Sequence, residues 1–149
     1  MADRKEETIE LSIVTINYQT DDLIIQLLEK LTPHFGVEII IIDNSPTDSL
    51  GKKLPQRSDV KYFFTGKNLG FSGGSNLGLT KARGEWILYL NSDTIVSTKD
   101  AFDLIHSTKD RKFLVAAPKL VQPDSKIQNN VGFFDSLFVN PLNFSFRQA

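Results

Sequence analysis

Trp86-Ile87-Leu88-Tyr89-Leu90-Asn91-Ser92-Asp93 is an apolar run that stops on an amide, a hydroxyl and a carboxylate. It reads as a buried strand that delivers one acid at its carboxyl end. Ligands of open α/β sheets bind at that end, and a carboxylate held there can join a hard divalent cation to phosphate oxygens. Asp93 is therefore the first candidate functional residue.

The same pattern recurs upstream. Leu11 to Ile16, Glu38 to Ile42 with its four consecutive isoleucines, and Val60 to Phe64 all read as strands buried on both faces. Leu23, Leu27, Leu28 and Leu31 are spaced as one face of a helix that Thr20, Asp21 or Asp22 can cap and that ends before Pro33. A glycine-rich segment, Gly66 to Gly78, leads to a helix through Leu79, Lys81 and Ala82 that Gly84 terminates. Beyond Asp93 a helix is expected over Asp100 to Thr108 and a strand over Leu114 to Ala117, with a hairpin at Pro123-Asp124-Ser125-Lys126. Alternating strands and helices predict an α/β fold with a mostly parallel sheet flanked by helices. The expected organisation is one domain over 1–149, with a polar tail at 1–9.

Composition narrows the function. The 149 residues carry 17 basic and 18 acidic side chains and no cysteine. A net charge of -1 without a basic block disfavours nucleic acid as a partner, so a bound polyanion should be small. Thiolate metal sites and cysteine nucleophiles are excluded. The polar start and the lack of a long apolar run predict a cytoplasmic chain that does not span a membrane. Phe133, Phe134, Phe138, Phe144 and Phe146 crowd the last stretch, 131–149. That segment is expected to pack back on the sheet, to meet a partner protein or the inner membrane face, or to belong to a larger fold that the chain leaves incomplete.

The turn after the first strand, Asn17-Tyr18-Gln19, lacks the glycines of a dinucleotide site, and Gly66-Lys67-Asn68 lacks the Lys-Ser/Thr pair and the spacing of a P-loop. A nucleotidyltransferase would need a glycine-rich basic turn here, which is also missing. Tyr18 can offer a ring to a base, Asn17 an amide, and Asp43 an acceptor to a base or ribose. Strand-end packing and turn capping are the competing roles for Tyr18 and Asp43. The cluster Asn68-Leu69-Gly70-Phe71-Ser72-Gly73-Gly74-Ser75-Asn76-Leu77-Gly78 can bring backbone close to a phosphate at a helix start, or can serve helix packing. His34 and His106 have no acidic or histidine partner nearby in sequence and receive no role.

Taken in order, Ile13-Val14-Thr15-Ile16-Asn17-Tyr18, Ile40-Ile41-Ile42-Asp43-Asn44-Ser45, Asn68-Leu69-Gly70-Phe71 with Gly74-Ser75-Asn76-Leu77-Gly78, and Leu90-Asn91-Ser92-Asp93-Thr94 resemble glycosyltransferase family 2, nearest to its rhamnosyltransferase-like members. Ala117-Pro118-Lys119-Leu120 and Gln122-Pro123-Asp124-Ser125 extend the likeness, which covers residues 10–130. The resemblance implies a GT-A, Rossmann-like fold and an inverting transfer of a sugar from a UDP- or dTDP-sugar to an acceptor hydroxyl on a saccharide or other molecule. It implies a donor site drawn from Thr15, Asn17, Tyr18, Asp43, Asn44, Asn68, Gly70, Gly74, Asn76 and Asn91. Asp93 would bind Mg²⁺ or Mn²⁺, with Asn91 standing where the family's metal motif has its first acid. The family's downstream Glu-Asp pair, which carries the catalytic base, has no counterpart before Ala149, so the catalytic residue is unknown. The alternative is a truncated or non-catalytic nucleotide-sugar-binding module that needs a partner for its base.

Overall fold

A computed structural model describes residues 8–109, 115–118, 120, 121 and 125–127. The chain divides into two compact units, Met1–Phe113 and Leu114–Ala149. In the first, β1 (Leu11–Asn17), α1 (Asp21–Lys30), β2 (Val37–Asp43), β3 (Val60–Phe64), α2 (Gly70–Lys81), β4 (Trp86–Leu90) and α3 (Thr98–Lys109) follow one another. The strands form one sheet in the order β3-β2-β1-β4, and every pairing is parallel.

Inside the sheet the apolar runs behave as expected, because β1 and β2 are covered on both faces and nearly every residue is buried. Alternation sorts their side chains. Leu11 and Ile13 of β1 with Ile39 and Ile41 of β2 face Ile24, Leu27, Leu28 and Leu31 of the α1 region and Ala101 and Ile105 of α3. Val14, Ile40 and Ile42 face the other way, toward Leu77 and Ala82 at α2. Burying each such aliphatic side chain contributes roughly 1.5–3 kcal/mol, so the central pair dominates the stability of this unit.

The outer strands differ from expectation. β3 and β4 are only partly buried, since each lies at an edge of the described sheet and has a neighbour on one side only. The β2–β3 connection also lacks a helix. Its ordering comes instead from fully buried Leu50, from Asp48 accepting the Gly51 N–H at 3.1 Å, and from Arg57 donating to the Leu28 carbonyl at 2.8 Å.

One capping role and one helix boundary are corrected. Thr20 occupies the N-cap position of α1 without a capping hydrogen bond, because its hydroxyl turns to Asn17. α2 starts at Gly70, so most of the glycine-rich segment is helix rather than loop. The glycines explain this: a Cβ on Gly78 would meet Val14 Cγ1 at 2.3 Å and one on Gly74 would meet Ile16 Cγ1 at 3.0 Å. One turn apart, they let α2 press on the sheet. Gly84 lies past the helix end at Lys81, and its own constraint is contact with the β1 backbone, where a Cβ would meet Ser12 N at 2.5 Å.

In the second unit, residues 115–118 are exposed and carry no strand, so the described part of the strand expected over Leu114 to Ala117 does not form. Val121 and Ile127 make an antiparallel bridge, while Pro123 and Asp124 of the expected hairpin lie outside the described residues. The Phe-rich stretch 131–149 lies outside the described residues.

Candidate donor site

The chain winds from β1 through β2 to β3 and then returns to place β4 on the other side of β1. Between β1 and β4 the winding reverses, and an open α/β sheet leaves a crevice there, beyond the carboxyl ends of the strands. A cleft of about 440 Å³ occupies this position. Ile16, Tyr18, Thr20 and Leu23 line it from β1 and the turn into α1, Asn44 from beyond β2, and Asn68, Gly70 and Phe71 from the start of α2. Leu90, Asn91, Ser92 and Asp93 complete it. A second cleft of about 460 Å³ adjoins it at Thr20 and Leu23 and runs past Asp21, Ser45, Thr47 and Ser49 to Lys53.

Several expected residues therefore meet: Tyr18, Asn44, Asn68, Gly70, Asn91 and Asp93 share one cleft. Tyr18 and Phe71 are exposed there and present aromatic surface. Gly70 takes φ +70°, the left-handed region open to glycine, and its N–H donates to Asn68 Oδ1 at 2.8 Å while its carbonyl accepts from Asn44 Nδ2 at 3.1 Å. The two asparagines thus shape the entry to α2.

Others lie elsewhere. Asn17 and Asp43 are fully buried beneath the cleft. Asn17 Nδ2 donates to Asp43 Oδ1 and to Asp21 Oδ1, each at 3.0 Å. Asp43 also accepts the Ser45 N–H at 2.9 Å and the Tyr62 hydroxyl at 2.7 Å. Thr15 is buried within β1 with an unpartnered hydroxyl, Gly74 packs against Ile16, and exposed Asn76 lies outside the cleft lining. The period of a strand or helix decides this: position in a motif does not say which face a side chain takes.

Sequence reasoning missed the polar floor. Asp21 is a buried acid whose carboxyl is held below its usual range by the Ser49 hydroxyl, with Asn17 and Lys53 adding to that effect against the opposing influence of burial. Burial, reinforced by Asp48 and Asp43, pushes the Tyr62 hydroxyl far above its usual range, so it remains a donor. Gln19, at φ +59°, is a strained turn residue whose N–H donates to Ser45 Oγ at 2.9 Å. Asn17 and Asp43, the polar residues that end β1 and β2, were the available signal.

Asp93 is exposed, and among the described residues its carboxylate accepts no hydrogen bond. Among them, too, no three His, Cys, Asp or Glu side chains gather as a ready metal cage. A single open carboxylate suits a Mg²⁺-type ion, which keeps waters and completes its shell with substrate phosphates.

A parallel α/β sheet with a cleft at its switch point is the GT-A arrangement, and the chain superposes with a TM-score of 0.59 on the mannosyltransferase PcManGT from Pyrobaculum calidifontis, solved with GDP-Man and Mn²⁺. That likeness, at 16% identity, covers 70% of this chain and 33% of that one. Residues 12–141 match the family described as glycosyl transferase family 2, and the chain belongs to that family. It is 28% identical over 117 residues to the low-salt glycan biosynthesis hexosyltransferase Agl10 of Haloferax volcanii, which covers 75% of this chain and 37% of that protein. It is 29% identical over 91 residues to the succinoglycan biosynthesis protein ExoO of Rhizobium meliloti, covering 58% of this chain and 26% of that protein. The chain thus spans between about a quarter and little more than a third of the length of the curated relatives it matches. Among the described residues no helix is long and apolar enough to cross a membrane.

Proposed function

We propose that this chain is the donor-binding part of an inverting glycosyltransferase, and that the cleft between the ends of β1 and β4 holds a UDP- or dTDP-sugar with Mg²⁺ or Mn²⁺. The observation that carries the reading is the convergence of Tyr18, Asn44, Asn68, Gly70, Asn91 and Asp93 on the switch-point cleft of a family 2 chain. Tyr18 and Phe71 would flank the base, and Asp93 would hold the cation against the pyrophosphate. Asn17 and Asp43 would support the base side from below. A cation bound there supplies charge neutralisation to the departing nucleotide. The rhamnosyltransferase-like subgroup is the proposed relationship within the family, supported by Asn91-Ser92-Asp93 in place of two acids. Residues 10–130 form the proposed family-like region, with the cytoplasm as the proposed location.

Transfer also needs a base for the acceptor hydroxyl. Asp93 is the only carboxylate lining the cleft among the described residues, and it is engaged on the donor side of this reading. The alternative reading is a truncated or non-catalytic nucleotide-sugar-binding module whose base comes from a partner. Calorimetric titration with UDP and dTDP, with and without Mn²⁺, tests the donor site, and absence of saturable binding to either overturns it. Turnover by the isolated chain with a donor sugar and added acceptors would remove the module alternative.

A further inference from the structure

We infer that Thr20 is a positioning residue that holds the Asp93 loop to the buried floor through a one-way chain of hydrogen bonds from Ser92 to Thr20 to Asn17. The inference rests on the donor-site reading and adds a residue to it. Its basis is a count of protons. Asn17 Nδ2 is committed to the carboxylates of Asp21 and Asp43, each at 3.0 Å, which fixes the amide so that Oδ1 is the acceptor facing Thr20. That oxygen accepts the Thr20 N–H at 3.1 Å and the Thr20 hydroxyl at 2.9 Å.

Thr20 Oγ1 has one proton, and Asn17 takes it. Ser92 Oγ lies 3.3 Å away, and with the Thr20 proton given to Asn17 this contact is a hydrogen bond only with Ser92 as the donor. The chain runs inward only, and each bond polarises the next. Ser92 consequently shows the cleft lone pairs and no donor. It is built to accept from a hydroxyl of the donor's sugar or ribose, or from a water on the cation beside Asp93, and it is mismatched to a phosphate oxygen. Among the described residues this is the only side-chain hydrogen bond tying residues 91–94 to β1 and α1; the other bond in the loop, Thr94 N–H to the Asn91 carbonyl at 3.1 Å, is internal.

Thr20→Val removes the hydroxyl while its N–H still reaches Asn17, so the fold is retained. Amide hydrogen exchange of residues 92–94 in the free chain should quicken about fivefold in Thr20→Val, the effect of one lost hydrogen bond, and return to the original rate in Thr20→Ser. Titration of UDP should show a loss of about fivefold confined to the Mn²⁺-dependent part of the affinity. Ser92→Ala should lose at least as much, since it removes the acceptor as well as the tether, and the double variant should be no worse than Ser92→Ala alone. Unchanged exchange in Thr20→Val, failure of Thr20→Ser to restore it, or losses that multiply in the double variant would overturn the chain of bonds. If exchange responds but the unmodified protein binds neither UDP nor dTDP, the donor reading has failed, and Thr20 keeps a structural tether without a positioning role.

Discussion

Asn17 and Asp43, register partners at the ends of β1 and β2, are joined by a 3.0 Å hydrogen bond from the Asn17 amide to the Asp43 carboxylate. The Asp43 carboxylate gathers three donors: this amide, the Ser45 N–H and the Tyr62 hydroxyl. Asp43→Asn keeps the shape but turns one acceptor into a donor facing donors. A loss of about 2 kcal/mol in stability is expected by urea denaturation, with Tyr62→Phe losing about 1 kcal/mol because it removes the single hydroxyl proton that Asp43 and Asp48 share and leaves Asp43 its other partners.

Asp93→Ala should leave folding stability unchanged, since the side chain is exposed and supports nothing around it. The Mn²⁺-dependent component of UDP or dTDP affinity should fall by a few kcal/mol, as expected for loss of a direct ligand to the ion. A metal-dependent affinity that survives in calorimetry would take Asp93 out of the site.

Adding one methyl group tests the seat of α2. Gly78→Ala drives a Cβ to 2.3 Å from Val14 Cγ1, and overpacking of this kind costs about 1–3 kcal/mol. Gly74→Ala, whose nearest approach is 3.0 Å, should cost less. Gly84→Ala should cost most, because it meets β1 backbone that no rotamer change can move aside. The order of thermal midpoints, Gly74→Ala above Gly78→Ala above Gly84→Ala, is the measurable outcome.

At the amino end of the sheet, Glu38 is buried yet ionised. Burial alone would raise its pKa, but Lys61 at 2.6 Å, Ser12 at 2.7 Å, the Arg83 N–H at 2.7 Å and the Arg83 guanidinium together lower it from 4.5 to about 2. A carboxyl whose folded pKa is depressed binds its proton more readily when unfolded. Its stabilisation is therefore complete above pH 4.5 and drains away as the pH falls toward 2. About 2–3 kcal/mol is at stake, reduced from the full shift because Lys61 and Arg83 are partly solvated. Glu38→Gln should flatten stability across that acid window when urea midpoints are measured against pH.

Much of the architecture could be read from the chain because a strand buried on both faces leaves an unbroken apolar record, as in Ile39 to Ile42. The start of α2 could not, because Gly70, Gly74 and Gly78 look like a loop until the sheet beneath them supplies the reason for small residues. The site divides along the same line. Tyr18, Asn44 and Asp93 were legible, since they lie just past strand ends and reach the cleft, Tyr18 and Asp93 as exposed residues and Asn44 as a buried one. Asn17, Asp43 and Thr15 point into the body by the two-residue period of a strand, and Asp21, Ser49 and Tyr62 join them only through tertiary contact.

The pairing of Leu11 with Trp86 has a consequence for biosynthesis. β1 is made first, yet one of its two neighbours is translated only after β2, β3 and α2 have emerged. Throughout that interval the nascent protein displays a bare row of amides and carbonyls along Leu11 to Thr15, flanked by greasy side chains. Ribosome-bound intermediates halted before Trp86 should accordingly be the species that chaperones recognise and that clump when unprotected.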